Sequence, residues 1–161
     1  MNSEFKRVHT LNQLLTTIEA YIPLKDEKAT SVSKATVGWQ LDHSLKVFNA
    51  VSHSIANSDP KAYRRQFNFW RTVLFPICYI PRGRARAPKF VLPPEVITSG
   101  DLKDQITMAK RHIEILKSLP KRAYFKHFVF GMLSKHQTLR FLEMHTKHHL
   151  KIVKDILSVQ D

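Results

Sequence analysis

The sequence holds one cysteine, Cys78, and only 4 glycines in 161 residues. A lone cysteine excludes an internal disulfide and fits a reducing compartment, so the expected address is the cytoplasm. Few glycines, with 8 prolines and no repeating tract, exclude collagen-like, low-complexity and disordered chains. No apolar run approaches the ~20 residues of a membrane span; the longest, Val73 to Ile80, is interrupted by Pro76. The first ten residues carry neither an apolar core nor a small-residue cleavage site, so no signal peptide and no membrane partner is expected. Glycine-rich phosphate loops, Cys-x-x-Cys pairs and nucleophile elbows are missing too. Cys78, in an apolar run, is expected to be a packed, inert thiol. Negative charge is the remaining scarcity: 13 Asp+Glu against 26 Lys+Arg leave a net charge of +13. That balance permits nucleic acid, acidic lipid or anionic metabolites as partners without choosing among them.

What is present is helical periodicity. At ~150 residues per domain the chain is one domain, 1–161, with a hydrophobic fraction of 43% that suffices for a core. Thr10 is the expected N-cap of a first helix bearing Leu11, Leu14, Leu15 and Ile18, which stops near Pro23. Residues 24–35 are polar and read as a loop. A second helix runs from about Thr36 to Asn57 with Val37, Leu41, Phe48, Val51 and Ile55 on its apolar face. Asp59-Pro60 predicts the start of a third helix, Lys61 to about Phe75. Residues 76–97 hold five prolines and the string Pro81-Arg-Gly-Arg-Ala-Arg-Ala-Pro-Lys89, a long basic loop. A fourth helix follows Ser99 and ends before Pro120. Ser134 and Gln137 form a capping box for the last helix, which runs to about Ser158. The fold class is all-α, a helix bundle with one long crossover loop.

The last helix carries the chemistry. At ~100° per residue, Leu142, Ile152, Ile156 and Val159 make an apolar stripe with His145 and His149 in its middle. Arg140, Lys147, Lys151 and Lys154 take the opposite face, and His148 falls on the flank. Imidazoles in an apolar seam need partners, because an unpaired buried polar group costs about 1–3 kcal/mol. A single such histidine is ordinarily a hydrogen-bonded core residue. A pair at i and i+4 sets two rings one turn apart, near enough to grip one ion. A third ligand must come from another helix. His43, beside Trp39 and Val47 on the edge of the second helix's apolar arc, fits better than His53, which looks solvated, or His136, on the polar side of its helix. His127, in Tyr124-Phe-Lys-His-Phe-Val-Phe-Gly131, is a reserve ligand or supporting group. Asp42 is either an orienter of His43 or, by preference, a solvated carboxylate.

Trp39-Gln-Leu-Asp-His43, the Phe130-Gly131-Met-Leu segment and His145-Thr-Lys-His-His149 together resemble the DinB-like superfamily of four-helix bundles over residues 31–158. The resemblance is nearest to its branch of uncharacterised proteins with a His-Pro-x-Phe-Gly motif before the last helix; here Phe128 replaces the proline. It implies a DinB-like four-helix bundle with an extra N-terminal helix, and a divalent metal held by His43, His145 and His149. It also implies a metal-dependent enzyme, a transferase or hydrolase; some relatives are transferases or isomerases using low-molecular-weight thiols. Three imidazoles suit zinc, nickel or iron and leave positions open for water or substrate. A small molecule, anionic or a thiol, is the expected substrate. Arg82, Arg84 and Arg86 would meet it from one side of an extended loop, with His127 nearby. The alternative is a non-enzymatic anion- or nucleic-acid-binding module, in which Arg64, Arg65, Arg71, the loop arginines and Lys89 act with Tyr63, Phe67, Phe69 and Trp70. The oligomeric state stays open, a homodimer included.

Overall fold

The computed structural model describes residues 3–81 and 89–159. Five α-helices are α1 (Ser3–Tyr21), α2 (Val37–Ala56), α3 (Phe69–Leu74), α4 (Ser99–Ser118) and α5 (Lys135–Leu157). A hairpin of β1 (Tyr124–His127) and β2 (Gly131–Ser134) precedes α5. Helices α1, α4, α2 and α5 pack in that cyclic order into a four-helix bundle: α2 lies against α4 and α5, and α1 closes the ring against the same two. The all-α expectation holds. The N-terminal helix takes one of the four bundle places, and the short α3 lies outside them.

Each long helix enters the bundle by an apolar stripe. Val8, Leu11, Leu15 and Ile18 come from α1, Leu41, Leu45, Phe48 and Ile55 from α2, Leu102, Ile106 and Ile113 from α4, and Leu139, Leu142, Val153 and Ile156 from α5; all are buried. Thr36 Oγ1 accepts from the Trp39 N–H to cap α2, and the Thr98–Asp101 capping box opens α4. At the start of α5 the Ser134 N–H donates to Gln137 Oε1 at 3.0 Å, as the spacing predicts. Buried Lys135 reaches back to the end of α4, donating to Lys117 O at 3.0 Å and Leu119 O at 2.9 Å while pairing with Glu4. One ammonium thereby serves two terminal carbonyls of α4 and a carboxylate of α1.

Three sequence readings are corrected. Thr10 does not start α1, which begins at Ser3; its hydroxyl instead donates to Lys6 O at 3.0 Å, the back-bonding open to a mid-helix threonine. The helix expected from Lys61 to Phe75 is reduced to six residues. Asp59 closes only a turn, its Oδ1 accepting from the Lys61 N–H at 2.9 Å, and 63–68 run without regular structure. Residues 61–67 offer no apolar stripe to bury, so nothing sustains a helix there. Asn68 caps α3 instead, accepting from the Arg71 N–H at 2.8 Å. Cys78 is exposed rather than packed, with a positive φ of 49°.

Candidate metal centre

Helix α2 begins close against the loop before it. The Gly38 N–H donates to Lys25 O at 2.7 Å, and a Cβ at this position would lie 2.9 Å from that oxygen. Glycine permits this close approach of the first turn of α2 to the loop. From α2 His43 projects between the helices, stacked on Trp39 with centroids 5.1 Å apart. From α5 His145 and His149 meet it, with centroids 5.5 and 4.9 Å from His43 and 4.6 Å from each other. One ring nitrogen from each of the three lies within 4.8 Å of the other two. His43 and His149 are buried; His145 is partly open.

The outer nitrogens decide which atoms face inward. His43 Nδ1 is 2.8 Å from the Val91 carbonyl oxygen, which can only accept, so Nδ1 carries the proton. His149 Nδ1 is 2.7 Å from Gln40 Oε1, and the Gln40 amide NH2 donates onward to Ser33 Oγ at 3.3 Å. Both rings are thereby set with Nε2 unprotonated and available. A ring N–H held by a carbonyl oxygen is how metal-binding imidazoles are ordinarily oriented. His145 has no hydrogen-bond partner among the described residues; Phe141 packs on it at 5.6 Å.

Electrostatics hold the cluster neutral. Burial pushes the His43 pKa down, against the opposing pull of the Val91 carbonyl and Asp42. His145 and His149 sit well below the ordinary value through burial first and then the neighbouring histidines. The unprotonated inner nitrogens of His43 and His149, with a ring nitrogen of His145 close by, suit a shared cation. The three histidines could together hold a metal ion.

The remaining candidates separate cleanly. His127 does not join the cluster. Its Nδ1 accepts from the Val129 and Phe130 N–H groups at 3.0 and 3.2 Å, closing the hairpin turn. Its ring lies 4.8 Å from Phe141, which stands between it and His145. The two donors sit at 129 and 130, so the turn's bonds do not use the N–H of Phe128. Asp42 is not solvated: it is 1% exposed, pairing with Lys46 at 2.7 Å and accepting from Gln105 at 2.7 Å. The Lys46 pair lies within α2, and the Gln105 bond ties α2 to α4. His53 is exposed, as expected. Arg82, Arg84 and Arg86 lie outside the described residues. Gln40, Ser33 and Val91 are the supporting groups that sequence reasoning missed. Gln40 had a signal: an amide three residues before His43 shares its helix face. Val91 contributes a backbone oxygen and had none.

Fold and cluster define a helical-bundle protein with three histidines gathered between α2 and α5. The family described as "Protein of unknown function (DUF1569)" matches residues 36–156, and the chain belongs to that family. No curated protein and no solved structure matches the chain.

Proposed function

We propose that this protein binds one divalent metal ion through Nε2 of His43, Nε2 of His149 and a ring nitrogen of His145. We propose further that it is a metal-dependent enzyme of the DinB-like kind. The observation that carries the reading is that two of the three rings have their outer nitrogens held by oxygen acceptors, leaving their inner nitrogens aimed at one point. A purely structural cluster would satisfy its inner nitrogens with donors from the chain. When bound, the ion supplies a Lewis acid that lowers the pKa of a coordinated water or thiol. Three protein ligands leave a position for that molecule, the arrangement of a catalytic rather than a structural site. A small anionic molecule or a low-molecular-weight thiol is the substrate class this supports.

The test is metal analysis of protein purified without a histidine tag, before and after reconstitution with zinc or nickel. One ion per chain, retained through dialysis and lost in His145→Ala and His149→Ala, is the expected result. Content well below one per chain after reconstitution overturns the reading.

A further inference from the structure

The chain's 13 carboxylates are unevenly placed: none falls in residues 60–94 or in residues 115–142. The fold brings 63–75 of the first stretch against 122–140 of the second. Asn68 donates to Val129 O at 2.8 Å, and Arg71 Nη1 donates to Phe130 O at 3.0 Å and Met132 O at 2.9 Å. Arg122 reaches Tyr63 O at 3.2 Å, and Arg140 Nε donates to Phe75 O at 3.1 Å. The segment around α3 is thus clamped to the hairpin and to the first turns of α5 by arginines bonded to backbone carbonyls. A carbonyl organises a guanidinium without neutralising it. Among the described residues no carboxylate pairs with Arg64, Arg65, Arg71 or Arg140, so this surface keeps its positive charge, with the guanidinium groups of Arg64, Arg71 and Arg140 held by backbone carbonyls.

Between the clamped pieces lies an open groove of about 730 Å³, bordered by Tyr63, Arg65, Phe67, Arg71, Gln137 and Arg140. Phe67 borders it, and Phe69 and Trp70, packed edge-to-face on each other, follow in the same segment. Phe67 is 82% exposed, and Phe69 and Trp70 are 59% and 55% exposed, an unusual display for a soluble surface. Phe128, at the hairpin tip that Asn68 holds to this segment, is 70% exposed. An open groove of uncompensated arginines with an exposed ring at its edge is the combination that binds unpaired nucleic acid: phosphates meet the guanidinium groups and splayed bases stack on the rings. A membrane surface would use the same charge and the same aromatics but has no use for a groove.

We infer that this carboxylate-free face is a binding site for single-stranded nucleic acid, without sequence preference and separate from the histidine cluster. The inference does not rest on the metal reading, because it shares no residue with it.

The experiment is fluorescence anisotropy of a labelled 20-nucleotide poly-dT and poly-U with the whole protein, from 25 to 300 mM salt, against vesicles containing anionic lipid. Single strands are expected to bind, at least tenfold tighter than a duplex of equal length, since stacking needs unpaired bases. With Arg65, Arg71 and Arg140 as phosphate contacts, log affinity should fall against log salt with a slope of about −2. Arg65→Gln should flatten that slope by about 0.7. Phe67→Ala should weaken binding at least fivefold with the slope unchanged. Both side chains are exposed, and an unchanged melting temperature verifies the fold of each variant. His149→Ala should bind as the parent protein does. Absence of binding at 25 mM salt, an unchanged slope in Arg65→Gln, equal affinity for duplex, or vesicle binding that outcompetes the oligonucleotide each overturns the inference.

Discussion

Gln40 Oε1 stands 2.7 Å from His149 Nδ1, across the interface between α2 and α5, and its amide NH2 is anchored on Ser33. A side chain of one helix therefore fixes the tautomer of a histidine on another. Gln40→Leu removes the acceptor and frees the ring to flip or to protonate Nε2 instead. We expect metal affinity to fall by about tenfold or more, the usual consequence of deleting such an orienting partner. Chelator competition measures it. Nitrogen-15 spectra of the metal-free protein supply an independent reading: His149 should be Nδ1-protonated in the parent and lose that preference in Gln40→Leu.

His43 and His127 are predicted to behave differently. His43→Ala should weaken metal binding at least tenfold, on the order of 1.4 kcal/mol, because it removes one of three converging donors. His127→Ala should change affinity clearly less, since its Nδ1 is engaged by two N–H groups of the hairpin turn. A competition titration of both variants decides between them, and loss of metal in His127→Ala alone would reverse the assignment.

The same His127 should give the metal-free protein a pH-dependent stability. Burial lowers its pKa to about 4 from the ordinary 6.5. Protonating Nδ1 would also forfeit both turn bonds. A base with a depressed folded pKa leaves the unfolded chain binding more protons between those values. Its stabilising contribution is therefore complete above pH 6.5 and is lost as pH falls from 6.5 towards 4. The full difference is on the order of 3 kcal/mol, at 1.36 kcal/mol per pKa unit. His127→Asn places an acceptor near the Nδ1 position without a titrating group. Urea melts at pH 7 and pH 5 should show a smaller loss for this variant than for the parent. Subtracting the two cancels the titration of His145, the titratable neighbour behind Phe141.

Lys135 is predicted to be the costliest lysine to truncate. It is 4% exposed and serves two carbonyls at the end of α4 together with Glu4. Lys135→Ala leaves those groups short of a donor, and a loss of about 2–3 kcal/mol is expected. Exposed Lys103 or Lys151 should change stability by no more than about 0.5 kcal/mol. Denaturant midpoints of the three variants make the comparison.

Much of this was legible where one helix supplied the whole signal. The stripe of α5 placed His145 and His149 in the interior because burial there follows a period of 3.6 residues. Thr36 and the Ser134–Gln137 box marked helix starts through local chemistry. Reading failed where a distant element decided the outcome. Asp42 looks solvated on its own helix and is buried only because Gln105 of α4 comes to meet it. Thr10 has the composition of a cap, yet Val8 upstream already belongs to the buried stripe of α1. Asp59-Pro60 announces a helix that the following residues have no apolar face to sustain. The hairpin, with strands of only four residues, was hidden in an aromatic segment that Asn68 and Arg71 bond from far along the chain.

The two buried histidines that share an acceptor arrangement differ in what can take it away. Gln40 is encoded at its own codon, and one substitution deletes the bond to His149. The acceptor of His43 is the main-chain oxygen of residue 91, which every amino acid possesses. Genetic screens that read function one substitution at a time would therefore find position 40 and could pass over position 91, registering there only tolerance for another apolar side chain. The orientation of His43 is inherited through the path of the backbone, and insertions or deletions in the connection before α4 are the mutations that would expose it.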